Sequence, residues 1–425
     1  MVATRVLQSE AADSLSKPVV VLIAICSLIY LLDGLIHSIL GPLAPDMARS
    51  LTLSNAQLGP IFSANLAGQC VGLVIFPALA NRFGHRGVVL LAVAGFGLGQ
   101  CASALSVGAA DLFGWRFITG VFLGGCLPSC LAVVSGVAPR KRRGLAIMLL
   151  FTGYGLGATI AGLIAAAFAD AGGWRAAMVV VGIVCIVTAL AAWMTLEIPD
   201  RVSATDGGES AEGNATVFGI LARRYLLSTT MLWLLFVAML TISYCLNSWL
   251  PTLLVEVGRD RTLAAISVSI FSLGGIVAAL GVGLLIDRFG AMQTLITFVA
   301  LSTALLFVVG RVLQSASAEM LLALLGACGF FVLGAYGGVN VVLADSYPEH
   351  LRATGIGWAK SVGRIGTVIA PILIGFGLSA GATGATIMSW FALPASLAVL
   401  SLIVLAFGTR SPRRMDVSKQ PFRLQ

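Results

Sequence analysis

Asp33 is the first residue of this sequence whose type and setting ask for chemistry. Of eighteen acidic residues, it alone falls well inside an apolar run, where an unpaired charge costs about 2.5–3.5 kcal/mol on insertion scales. Such a residue either carries a proton or sits in a fixed ion pair, and a partner can be named. If the first apolar run ends near Gly41 and the fourth begins near Asp111, Asp33 lies about 12 Å and Arg116 about 8 Å below the same surface. A guanidinium alongside stabilises the charged carboxylate, and its withdrawal favours the neutral acid. His37, four residues on, shares a helix face with Asp33 and Tyr30. It titrates in the range that suits proton work, although a lone histidine near a helix end also serves as a hydrogen-bonded structural residue.

Lys360 and Arg364 form the second constellation, two cations one helical turn apart. An eleventh run that starts near Gly355 puts Arg364 close to mid-membrane. No acid except Asp33 is expected at that depth, so the partner that fits is a substrate carboxylate, which a guanidinium can grip with two parallel hydrogen bonds. Lys360 has a second option, because its long stem can snorkel to the membrane surface or pair with Asp345.

The composition puts these residues in a membrane. The chain has 425 residues, 58% of them hydrophobic and 10% charged, with mean hydropathy +1.00, whereas about a quarter of a soluble domain is charged. At about 20 apolar residues per crossing, the runs between Gly, Pro and charged breakers predict helices near 18–41, 56–80, 88–106, 111–136, 145–169, 174–196, 226–254, 263–286, 294–313, 320–343, 355–378 and 386–407. The expected fold class is an all-α polytopic membrane protein with twelve transmembrane helices in two six-helix pseudo-symmetric halves, 18–196 and 226–407. A polar, Gly-rich linker at 197–225 joins them, and tails occupy 1–17 and 408–425. The run that begins at Pro18 outlasts a signal peptide's core, so the first helix stays in the mature protein.

Basic residues sort by side. With the N-terminus cytoplasmic, Arg82, Arg86, Arg140, Lys141, Arg142, Arg143, Arg201, Arg223, Arg224, Arg288, Arg352 and the tail cations fall inside, against Arg49, Arg175, Arg259, Arg261 and Arg311 outside. The positive-inside rule then places both termini in the cytoplasm. Anionic lipid and insertion topology also account for the net charge of +8, so no nucleic-acid partner is expected. Trp115, Trp174, Trp249 and Trp390 fall near outer helix ends and read as interfacial anchors. All eight cysteines lie in apolar runs without a C-x-x-C and read as small buried hydrophobes, not a disulfide or zinc framework. With no phosphate-cradling G-x-x-x-x-G-K-[ST], ATP is not the driver. No nucleophile and base pair or carboxylate dyad lies at depth, so neither enzyme activity nor a cofactor or metal is expected.

Asn81-Arg82-Phe83-Gly84 after the second span is echoed by Asp287-Arg288-Phe289-Gly290 after the eighth. Pro139 with Arg143 before the fifth recurs as Pro348 with Arg352 before the eleventh. Self-similarity of this kind points to a transporter built from two parallel halves around a central site. The glycine closing each R-F-G turn suits a positive φ. These loops, the basic Pro139-Arg140-Lys141-Arg142-Arg143-Gly144 loop and the 6+6 layout resemble the major facilitator superfamily across the full chain. Within it, four segments together resemble the aromatic acid:proton symporters. They are Leu32-Asp33-Gly34 with Gly41 and Ala44-Pro45; Trp115-Arg116-Phe117-Ile118-Thr119-Gly120; Ser248-Trp249-Leu250-Pro251-Thr252-Leu253-Leu254; and Arg352-Ala353-Thr354-Gly355 through Gly357-Trp358-Ala359 to Val362-Gly363-Arg364-Ile365-Gly366. The chain departs from that family where Ile36, followed by His37, replaces the second aspartate of a D-G-x-D signature, and where Asn81 replaces an aspartate. Gly136 stands where an acid is common, although Asp345 holds the repeat-related place.

The resemblance implies that spans one and four line a central cavity, which makes Asp33, Arg116 and His37 a proton-coupling group. It implies that Tyr244, Asn247 and Asn340 join Lys360 and Arg364 around the substrate. Asn81, Arg82, Gly84, Asp287, Arg288, Gly290, Asp345 and Arg352 would form an inner gate, with a weaker latch in the first half where Asn81 has lost the charge. The implied function is import of a small organic, aromatic carboxylate by proton symport through alternating access. The implied setting is a monomer in the bacterial inner membrane, whose partners are that carboxylate, protons and lipid. Efflux of organic anions or drugs could use the same pair, but exporters of the superfamily usually carry Gly-Pro in the fifth span, and Gly153 to Leu163 holds no proline. A non-transporting sensor of this fold would tend to add a large soluble segment.

Overall fold

The computed structural model describes residues 17–139, 142–169, 173–195 and 217–408. Arg140 and Lys141, most of the expected linker and both tails lie outside the described residues. Within them the regular structure is helical: α1 Lys17–Ser50, α2 Asn55–Ala104, α3 Ala109–Val137, α4 Arg143–Phe168, α5 Gly173–Thr195, the short α6 Val217–Ile220, α7 Leu226–Glu256, α8 Arg261–Phe289, α9 Ala291–Val312, α10 Ala318–Asp345, α11 Glu349–Ser379, α12 Gly384–Trp390 and α13 Ala392–Gly408. Eleven of these stretches are long and apolar enough to cross a membrane. One of them, α2, makes two crossings because Gly84 (φ 74°, ψ 158°) breaks it, while α12 and α13 share one. The chain is a twelve-span membrane protein.

The spans follow the apolar runs, with a consequential difference in the first. Gly41-Pro42 reads as a stop, yet α1 continues to Ser50 with Pro42 and Pro45 inside it. The prolines deprive the carbonyls of Ser38 and Gly41 of their helical donors without ending the helix. Gly41 is there for packing: a Cβ on it would stand 2.4 Å from the carbonyl oxygen of Asn247 on α7. Because α1 runs on, Asp33 lies deeper than an end at Gly41 implies.

The sequence repeat is a repeat in space. Gly290 (φ 86°, ψ 149°) takes up the backbone conformation of Gly84, in a region that only glycine enters without strain. Arg82 and Arg288 each lie over the phenylalanine that follows, at 5.4 Å from the ring centroid. Helix α1 packs on α4 as α7 packs on α11, and α2 on α3 as α8 on α10. The two sets of helices meet through α4 against α8 and α2 against α11.

Close approach between helices fixes several small residues. A Cβ at Gly157 on α4 would fall 1.9 Å from the carbonyl oxygen of Leu31 on α1. Gly157→Val is therefore expected to force α1 and α4 apart and destabilise the protein by about 1–3 kcal/mol or more, read as a lower Tm of the purified protein in detergent. Gly283→Ala, where the Cβ position is open, should be neutral or stabilising by up to about 1 kcal/mol. Equal melting temperatures for the two variants would refute the packing account.

Two of the four tryptophans expected at the membrane interface are inside the protein. Trp249 is fully buried, edge-on to Phe62 with centroids 5.0 Å apart, so it joins α7 to α2. Trp174 is also buried, with the Arg175 guanidinium 4.4 Å over its ring. Trp115 and Trp390 are exposed. Nearness to a helix end does not say which face the ring occupies, and for Trp249 that face meets α2.

Candidate functional site

The two helix sets touch at one end of the bundle and part at the other. Toward the end that carries Ser50 and Asp260, Ser63 Oγ donates to the Val368 carbonyl and Ser269 Oγ to that of Thr159, both at 2.6 Å. A Cβ at Gly59 would stand 2.6 Å from the Pro371 carbonyl oxygen, and one at Gly375 2.4 Å from that of Asn55. Toward the opposite end, Leu145, Met148 and Leu149 on α4, Leu280 and Leu284 on α8 and Trp358 on α11 are exposed. Gly144, Gly281 and Gly357 there have open space where a Cβ would stand. One end is closed and one is open.

Between them lies a cavity of about 330 Å³, whose lining runs from Met148 and Leu280 to His37, Tyr154, Tyr244, Asn247, Ser272 and Tyr336. Its walls are mostly apolar and aromatic. The His37 ring meets Tyr244 edge-on at 4.9 Å and lies 6.1 Å from Tyr154. Its Nδ1 is buried without a hydrogen-bond partner, as is Ser272 Oγ.

Asp33 is buried, 1% exposed, and neither carboxylate oxygen has a hydrogen-bond partner. The Cys126 thiol stands beside it without meeting hydrogen-bond geometry. Arg116, the expected partner, is fully buried and donates instead to Gln100 Oε1 at 2.7 Å and to the Ile36 carbonyl at 3.1 Å. The expected Asp33–Arg116 ion pair is not made in this state. The length of α1 explains it, since Arg116 reaches the turn of α1 nearer the closed end while Asp33 sits deeper. Arg364 is a cation within electrostatic reach of Asp33.

Arg364 lies at the seam between α11 and α2, where its Nη1 donates to Gln69 Oε1 at 2.8 Å, and its charge reaches Tyr244 and Tyr336. A guanidinium has five N–H donors, so the bond to Gln69 leaves donors for an anion. Lys360 is exposed one turn nearer the open end, and among the described residues it makes no ion pair with Asp345. Tyr244 and Asn247 line the cavity. Asn340 does not; its Nδ2 donates to the carbonyls of Tyr336 (3.3 Å) and Gly337 (3.1 Å) on its own helix.

The residues expected at a gate gather at the open end. Asn81, Arg82, Asp287, Arg288, Asp345 and Arg352 are exposed there, beside the turns at Gly84 and Gly290, and among the described residues no ion pair joins them. Sequence reasoning left Tyr154, Ser272 and Tyr336 out of the site and missed Gln100 as the partner of Arg116. A glutamine in an apolar run was the available signal for Gln100. Ser272 offers none, because a serine hydroxyl can satisfy itself on its own helix.

A sequence model of the family described as Major Facilitator Superfamily matches residues 26–371 and, overlapping, 232–423. The chain is 31% identical over 410 residues to a 4-hydroxybenzoate transporter of Pseudomonas putida, covering 90% of this chain and 91% of that one. It is 31% identical over 405 residues to a 3-(3-hydroxy-phenyl)propionate transporter of Escherichia coli, covering 94% and 97%. Among solved structures, a D-xylose-proton symporter superposes with TM-score 0.75 at 15% identity, over 90% of this chain and 96% of that one; that likeness shows the fold.

Proposed function

The chain belongs to the major facilitator superfamily, as a transporter and not an enzyme, and we propose that it carries a small aromatic carboxylate into a bacterial cell together with protons by alternating access. The observation that carries this reading is the mid-depth cavity between the two halves, sealed at one end and open at the other, with aromatic walls; Asp33 and Arg364 stand behind its lining, both within electrostatic reach of Tyr244. The positive-inside distribution assigns the open end to the cytoplasm and the closed end to the outside, with both termini cytoplasmic and the chain in the inner membrane.

The chemistry divides by residue. Arg364 takes the carboxylate with the donors that Gln69 leaves free, and Tyr154, Tyr244, Tyr336 and His37 surround the ring. Asp33 carries the proton: its carboxylate is buried and neither oxygen has a hydrogen-bond partner, and a buried charge without hydrogen bonds is costly to keep. An anion entering a cell with a negative interior is opposed by about 2.3 kcal/mol per 100 mV, and one co-moved proton cancels that penalty. The names of the relatives support an aromatic acid as cargo.

Purified protein in proteoliposomes, given a panel of radiolabelled benzoate, hydroxybenzoates, phenylpropionates and D-xylose with an inward proton gradient, tests the proposal. Accumulation of aromatic carboxylates and not of the sugar is the expected result. Uptake of none of the carboxylates would overturn it.

A further inference from the structure

The closed end holds a second cavity, of about 460 Å³, whose wall includes Asp46 and Arg49 from α1, Trp174 and Arg175 from α5 and Arg261 from α8. Among the described residues of its wall, three guanidiniums accompany one carboxylate. Asp46 Oδ1 accepts hydrogen bonds from Arg49 Nη2, on the same helix, and from Arg261 Nη1 at 3.1 Å, from the other half. Asp46 is largely covered, 16% exposed, while Arg49 and Arg261 remain 54% and 45% exposed. Arg175 is fixed in the wall. It donates to the carbonyls of Ala104 and Ser106 and lies over the Trp174 ring, all uncharged groups.

One of the chain's own carboxylates thus occupies a guanidinium fork, and that fork exists only while α1 and α8 are together. We propose that this pocket is a capture site for small organic carboxylates, which Asp46 fills when the end is closed. An arriving carboxylate takes Arg261 and Arg49 in place of Asp46, so that binding the anion and releasing the contact between the halves are one exchange. The Trp174 ring is covered by Arg175, so the site reads charge rather than ring, and acetate binds here about as well as benzoate. The inference rests on the proposed function only in placing this end outside and in taking carboxylates as cargo.

The test uses full-length protein in lipid nanodiscs carrying Arg364→Gln, which disables the central anion site, with benzoate and acetate as probes in a calorimetric or NMR binding measurement. Adding Asp46→Asn removes the built-in competitor and is expected to tighten both ligands about tenfold, with loss of that binding on further addition of Arg261→Gln or of molar salt. Asp46→Ser should tighten them in the same direction, which guards against a fold defect peculiar to the asparagine. Unchanged or weaker binding in both Asp46 variants would overturn the proposal and leave the Asp46–Arg261 pair as a structural contact alone. Failure of the function proposal reads out elsewhere, as absence of aromatic acid uptake by protein with Arg364 intact.

Discussion

Asp33→Asn is expected to insert and fold, to exchange labelled for unlabelled substrate across the membrane, and to lose all accumulation. The reasons lie in its surroundings. The carboxylate is 1% exposed and both oxygens lack hydrogen-bond partners, so an amide of the same shape breaks no contact that the structure shows. What disappears is the capacity to take up and release a proton. One pH unit across the membrane is worth about 1.4 kcal/mol per proton, enough to sustain about tenfold accumulation of a cargo moved with one proton, and in the variant that ratio falls to one. An Asp33→Asn protein that still concentrates substrate would remove Asp33 from the coupling step. Arg116→Gln should behave differently, because Arg116 is held by Gln100 and the Ile36 carbonyl and its loss strikes packing between α1, α2 and α3.

Arg364→Gln carries the second large effect. A hydrogen bond to a charged group contributes about 1.5–3 kcal/mol, so losing the guanidinium from a carboxylate site should weaken binding by roughly 10- to 100-fold, measured as KM in exchange or as Kd by calorimetry. Arg364→Lys should recover little, since an ammonium keeps the charge but cannot present two parallel donors to a carboxylate. The same substitution removes the bond to Gln69, so Gln69→Ala serves as the control. It breaks that contact, spares the guanidinium, and should leave affinity within a few-fold of the parent. Equal losses from Arg364→Gln and Gln69→Ala would mean that the seam between α11 and α2 matters and not the anion site.

The membrane spans were legible because a crossing needs a long apolar run and the breakers between runs are charged or glycine-rich. The duplication was legible because Gly84 and Gly290 close turns that demand a positive φ. Asp33 and Arg364 stood out because a charge in hydrocarbon is costly wherever it sits. The partner of Arg116 was not legible, because depth was counted from a helix end at Gly41 and α1 keeps going to Ser50. Only the packing of α7 on Gly41 explains the glycine there. Likewise nothing in the local sequence says that Trp249 meets Phe62 instead of lipid, or that Asn340 turns back onto its own helix, because both depend on how a helix is rotated in the bundle. The Asp46–Arg261 contact joins residues more than two hundred positions apart and has no sequence signature beyond two outer charges of opposite sign.

Co-movement of proton and cargo is the most direct measurement of the central claim. Proteoliposomes loaded with a pH-sensitive dye and held at equal pH on both sides are given an inward gradient of the preferred aromatic acid, under conditions that suppress passive leak of the neutral acid. Protein with Asp33 intact should acidify the lumen in step with labelled uptake, and Asp33→Asn should exchange substrate without moving the dye. Uptake by the intact protein with no change in lumenal pH, or equal acidification by both proteins, would contradict the account.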